Sequence, residues 1–165
     1  MNHPISSAAF DAVVIKLPIM LSTLLAQPLL TRISLGQVPA EDVYVFYEAD
    51  SAGHPQPLYV GRSGTLRKRI MQHGQLGADH NTASFAFLLA ANAMGEAYKT
   101  EVRTRKQLQT APEAGGFGEL YLAAKKRVSS IQVRFLEVPN DIHQVLFEVY
   151  IALALNTPFN DFKTS

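Results

Sequence analysis

The run Leu58-Tyr59-Val60-Gly61-Arg62-Ser63-Gly64-Thr65-Leu66-Arg67-Lys68-Arg69-Ile70-Met71-Gln72-His73 constrains this chain more than any other. It reads as a short apolar strand that breaks at Gly61 and Gly64 and restarts as a cationic helix carrying Arg67, Lys68, Arg69 and His73 within two turns. A strand-end tyrosine therefore lies beside a helix arginine. That pairing suits phosphate chemistry, because a guanidinium holds a phosphodiester through paired hydrogen bonds while a phenol or imidazole handles the proton. Upstream, Asp42-Val43-Tyr44-Val45-Phe46-Tyr47 is a second β-type run, joined to the first through the turn-like Ser51–Pro57 segment, so the two read as a hairpin. Far downstream, an apolar helix from Val145 to Leu155 carries the lone carboxylate Glu148 and ends in Pro158-Phe159-Asn160. Ionised carboxylates are seldom embedded in apolar surroundings without a partner or a metal.

The order of these pieces resembles the GIY-YIG nuclease family. Asp42-Val43-Tyr44 stands where the family has Gly-Ile-Tyr, and Tyr59-Val60-Gly61 where it has Tyr-Ile-Gly. Arg69 falls at the family's helix arginine, His73 where many members place a histidine, Glu148 at the metal-binding glutamate and Asn160 at the closing asparagine. Two departures stand out: Asp42 replaces the first glycine, and the interval from His73 to Ile131 is long, which reads as an inserted helical region. The resemblance implies a metal-dependent endonuclease that hydrolyses phosphodiester bonds of nucleic acid, with DNA as the expected substrate. Its catalytic set would be Tyr44, Tyr59, Arg69, His73, Glu148 and Asn160, with one Mg²⁺ or Mn²⁺ on Glu148 and Arg69 stabilising charge on the phosphate. Tyr44 is preferred over Tyr59 as general base, and His73 is the alternative. A free phenol is a poor base at neutral pH, so Arg69, Lys68 or His73 would have to favour its ionised form. Asn160 is expected to tie the chain end back to the site. Without the resemblance, the two tyrosines would read as strand aromatics packing across a hairpin, Arg69 as a surface cation and His73 as a surface histidine.

The expected fold is a small α+β domain: a three-stranded, mainly antiparallel sheet from residues 42–49, 57–61 and 131–138, flanked by helices. Residues 1–40 form an N-terminal helical extension on the core, and 41–165 the GIY-YIG-like domain with its helical insertion at about 76–130. The extension reads as two short helices, the first capped by Ser6 or Ser7 and the second with Pro18 in its first turn, presenting Phe10, Val13, Val14, Leu17, Leu21, Leu24 and Leu25. In the insertion, Thr82 or Ser84 would cap a helix ending near Gly95, a second helix would span Glu96–Gln109, and a Pro/Gly loop at Ala111–Gly118 would precede a third over Glu119–Val128. Pro139-Asn140-Asp141 ends the last strand and caps the Glu148 helix.

A net charge of +1 gives little general attraction for a polyanion, so a nucleic-acid face must come from local clusters. The candidates are Arg62, Lys68, Arg103, Arg105, Lys106, Lys125, Lys126 and Arg127. The weak net charge also motivates a second reading, in which the chain is a catalytically silent nucleic-acid-binding or partner-docking subunit, the N-terminal apolar helices serving a homodimer or partner protein. Asp11, Lys16, Pro18 and Pro28 interrupt the apolar run Phe10–Leu30, so no membrane contact is expected. The absence of cysteine excludes disulfides and thiolate metal sites and accords with a cytoplasmic location. His54, His80 and His143 lack the spacing of a zinc centre, and no phosphate-cradling Gly-x-x-x-x-Gly-Lys loop is present.

Overall fold

A computed structural model describes residues 8–36, 42–79, 81, 83–110, 116–160 and 162. The chain opens with α1 (Ala8–Val14) and α2 (Leu17–Ala26), then forms β1 (Asp42–Ala49) and β2 (Pro55–Ser63). There follow α3 (Leu66–His73), α4 (Ser84–Met94), α5 (Glu96–Lys99), α6 (Arg105–Gln109), α7 (Phe117–Ser129), β3 (Gln132–Glu137) and α8 (Asp141–Ala154). The fold is α+β, a three-stranded antiparallel sheet in the order β2-β1-β3 with helices on both faces.

Alternation along β1 sorts its side chains between two apolar clusters. Tyr44 and Phe46 point to one side, where Leu66 and Ile70 of α3, Phe85 and Phe87 of α4, and Phe117 and Tyr121 of α7 complete the larger core. Val43, Val45 and Tyr47 point to the other, against Leu17 and Leu24 of α2 and Phe147 and Ile151 of α8. Between β1 and β2 the register shifts at Phe46/Tyr47, so that Phe46 faces Tyr59 while Tyr47 faces Pro57 and Leu58 is the extra residue. That bulge keeps Tyr59 on the same face as Tyr44 and Phe46.

Both sheet edges are covered, as exposed edges invite unwanted pairing. At β3, Leu30 makes a single antiparallel bridge to Val133, with N–H donated in both directions at 2.9 and 2.8 Å, and Arg134 Nε donates to Gln27 O. At β2, Phe159 N–H donates to Leu58 O, the carbonyl of the bulged residue. The segment before β1 is strapped to α3 by Arg67, whose Nη1 donates to Leu35 O and Gly36 O, and by Arg32, whose Nη2 donates to Met71 O.

Several expectations change in detail. Ser84 is the first residue of α4 rather than its cap, and its hydroxyl accepts from Arg69; Thr82, Ser6, Ser7, His80 and most of the Ala111–Gly118 loop lie outside the described residues. The helix expected over Glu96–Gln109 is two short helices. The chain leaves α5 at Thr100 and restarts at Thr104, where Thr104 and Gln107 form a reciprocal capping box that a continuous helix could not accommodate. Of the apolar residues in the N-terminal helices, Leu17 and Leu24 are buried, whereas every residue of α1 is at least partly exposed and Phe10 is 54% exposed. By length and composition alone, Ala8–Ala26 is long and apolar enough to cross a membrane. Asn140 does cap α8, accepting from His143 N–H at 3.0 Å.

Candidate active site

Tyr44 sits in the middle of the central strand, and its hydroxyl reaches past β2 over a residue without a side chain. A Cβ at Gly61 would run into the Tyr44 hydroxyl and lie 2.5 Å from its Cζ, so glycine is required there by close approach. The hydroxyl then meets His73 Nε2 at 2.9 Å, His73 being the last residue of α3. Both partners are buried, Tyr44 at 1% and His73 at 0% exposure. Burial, and then the positive charge of Arg69, push the His73 imidazole down to about 3, so it is neutral at physiological pH. Its Nδ1 is buried without a hydrogen-bond partner.

Arg69 lies one turn before His73 on the same face of α3, which is how a helix brings positions i and i+4 together. Its guanidinium is held in place from the insertion: Nη1 donates to Asn81 O at 3.2 Å and Nη2 to Ser84 Oγ at 3.0 Å. It also hydrogen-bonds the Tyr44 phenol, and its charge works to lower the pKa values of both Tyr44 and Tyr59. Burial prevails, followed by Tyr59 for the Tyr44 phenol and by Glu148 for the Tyr59 phenol, and both phenols are raised and neutral. Tyr59 hydrogen-bonds Ser84 and stacks on Phe85 with ring centroids 4.9 Å apart.

Glu148 approaches from α8. Its side chain is 18% exposed, burial raises its pKa, and its charge is felt at both phenols. One hydrogen bond, from Arg62 Nε to Glu148 Oε2 at 3.1 Å, supplies a counter-charge. Asn160 binds β2 and its own turn: Oδ1 accepts from Val60 N–H at 2.7 Å and from Thr157 Oγ1 at 2.8 Å, while Nδ2 donates to Val60 O at 2.8 Å. The asparagine thus reads both backbone groups of the residue between Tyr59 and Gly61 and fixes the strand that carries them.

The structure accordingly brings Tyr44, Tyr59, Arg69, His73 and Glu148 to one locality, with Asn160 bracing β2 from behind. Lys68 is exposed and is not among the charges acting on either phenol. Most of the other candidate contact cations are committed elsewhere. Arg103 pairs with Glu101 at 2.8 Å, Arg127 pairs with Glu48, and Arg105 lies over the Phe87 ring. Lys125 is buried, donating to Leu76 O at 2.7 Å with its ammonium over Tyr121, which takes it out of any contact surface. Lys106 and Lys126 are exposed. Ser84, Phe85 and Arg62's bond to Glu148 are the parts of this constellation that carry no signal in the sequence. Ser84 opens an apolar run and looks like a cap, and no local spacing links it to Arg69, fifteen residues earlier.

Among the described residues no group of three or more His, Asp or Glu side chains converges, so a divalent ion here would rest on the single carboxylate of Glu148 and take the rest of its shell from water or phosphate. Comparison with family models, curated proteins and solved structures finds no match for this chain.

Proposed function

We propose that this chain is a GIY-YIG-type endonuclease that hydrolyses phosphodiester bonds of nucleic acid, DNA foremost. One observation carries the reading: two strand tyrosines, a helix arginine and a neutral buried histidine share hydrogen bonds and ring contacts, within electrostatic reach of the largely buried Glu148 on α8. Glu148 would hold a Mg²⁺ or Mn²⁺ ion, which when bound supplies Lewis-acid stabilisation of the leaving oxygen. Arg69, oriented by Asn81 and Ser84, presents fixed donors to the charge that develops on the phosphate. Tyr44 is the proton acceptor for the attacking water. Burial holds the resting phenol neutral, so it accepts the proton only as the phenolate, the form that the charge and hydrogen bond of Arg69 favour. A neutral His73 with its ring proton on Nδ1 accepts the phenol's hydrogen bond at Nε2, 2.9 Å away, and orients the hydroxyl. Tyr59, held by Ser84 and Phe85, orients water or phosphate.

The test is cleavage of plasmid, single-stranded and branched DNA by the purified chain with Mg²⁺ or Mn²⁺, against a chelator control. The second reading, a silent binding or docking subunit, is favoured by one observation, that Arg62 already neutralises Glu148. Cation-dependent cutting of any of these substrates would eliminate it.

A further inference from the structure

The contact between Arg62 and Glu148 sets a conflict inside the proposed site. Arg62 is the residue after Gly61 on β2, and its side chain is on the α8 face of the sheet, opposite the face that carries Tyr59. It reaches Glu148 with a single N–H at 3.1 Å instead of the two-point fork that gives guanidinium–carboxylate pairs their strength. The Arg62 side chain is 46% exposed while that of Glu148 is 18% exposed, so the cation has a path to solvent that the anion lacks. A largely enclosed carboxylate is costly without a counter-charge, which is the service Arg62 performs. A divalent cation on the same carboxylate brings twice the charge and repels the guanidinium at close range.

We propose that Arg62 is a resident counter-ion of Glu148 which a divalent cation displaces, and that the released guanidinium then takes the phosphodiester. The inference rests on the nuclease reading, and it adds that cation and nucleic acid bind with positive coupling through one side chain. Arg62 suits both states, because its planar fork matches phosphate as well as carboxylate and it is permanently charged. The coupling is reciprocal: a cation frees Arg62 for phosphate, and phosphate draws Arg62 off the cation's ligand.

The experiment measures Mn²⁺ binding to the full chain without nucleic acid, by titration calorimetry and by the electron paramagnetic resonance signal of free Mn²⁺. Arg62→Ala is expected to bind Mn²⁺ about tenfold more tightly than wild type, within the usual range of coupling between sites. Arg62→Lys, which keeps a competing cation, is expected to stay near wild type, and Glu148→Gln to lose the site. A second measurement needs no metal. In chelator, Glu148→Gln releases Arg62 and should tighten binding of a duplex oligonucleotide, a gain that shrinks when Arg62→Ala is added. Thermal melting of each variant confirms that it is folded. If Arg62→Ala leaves Mn²⁺ affinity unchanged or weakens it while Glu148→Gln abolishes it, the counter-ion proposal is overturned and the metal site stands. If folded wild type and Arg62→Ala both fail to bind Mn²⁺, the metal-dependent reading falls and takes this proposal with it.

Discussion

Tyr44→Phe separates the structure's account from the one read in the sequence. On sequence alone the change reads as one in turnover with little effect on stability, since the ring is kept and only a hydroxyl is lost. The structure adds a stability cost. The ring would still pack on Phe46, with centroids 5.0 Å apart, but His73 would lose the partner of Nε2 while its Nδ1 already has none, leaving a fully buried imidazole unpaired on both sides. Stranding a buried polar group costs about 1–3 kcal/mol. Taking about 2 kcal/mol, a chain of this length should melt about 4–8 °C lower. Loss of the general base should also lower kcat by about a hundredfold to ten-thousandfold. Tyr59→Phe should do less on both counts, because its hydroxyl bonds Ser84 and does not support His73. The assays are differential scanning fluorimetry and single-turnover cleavage across pH. A Tyr44→Phe chain with wild-type melting temperature and wild-type kcat refutes the argument. Equal, small effects from both tyrosines, with a pH profile that vanishes in His73→Ala, would make His73 the base.

Gly61→Ala should destabilise by about 1–3 kcal/mol, as overpacking does, because the new methyl group must displace the Tyr44 ring; activity should fall with it, measured by urea unfolding and cleavage. Arg69→Lys keeps the charge but cannot donate to Asn81 O and Ser84 Oγ together in the same plane, so cleavage should drop nearly as far as in Arg69→Ala. Acid sensitivity follows from His73: its folded pKa lies at about 3 against an ordinary 6.5, so the stability it confers is complete above 6.5 and is lost as pH falls towards 3. Asp42 acts in the opposite sense. Burial, and then Glu137, raise it from 3.8 to about 6, so its protonation favours the fold as pH falls through that window, and Asp42→Asn should steepen the acid loss seen in melting temperature against pH.

The sheet was legible because its strands obey strong local rules. Val and aromatic residues alternate in β1, and Pro139-Asn140 closes β3 and starts α8; β2 stops before Gly64, but it runs through Gly61, where the sequence predicts a break, because Gly61 pairs with Tyr44. The helix breaks were harder to read. The Thr104–Gln107 capping box looks like ordinary helix sequence unless a restart is suspected, so α5 and α6 merged into one expected helix. At the site, Tyr44, Tyr59, Arg69 and Glu148 carry signals in their own segments, but what orients them does not. Ser84 holds Arg69 across a loop, and Arg62 meets Glu148 across 86 residues, contacts that depend on tertiary packing and leave no periodic trace. Charge runs misled for the same reason: Lys125-Lys126-Arg127 reads as one basic cluster, yet the helix turns Lys125 into the core, Lys126 outward and Arg127 onto Glu48.

The central claim, a cation-dependent nuclease centred on Glu148, is tested most directly by comparing wild type and Glu148→Gln for cleavage of supercoiled plasmid with Mg²⁺, with duplex binding and melting temperature measured on the same preparations. The near-isosteric amide removes the only charge in the α8 segment from Val145 to Leu155 and little packing. The account predicts that wild type cuts the plasmid and that Glu148→Gln, folded and still binding duplex, does not. Mg²⁺-dependent cutting by a well-folded Glu148→Gln chain, or no cutting by wild type on plasmid, single-stranded or branched DNA, would contradict it.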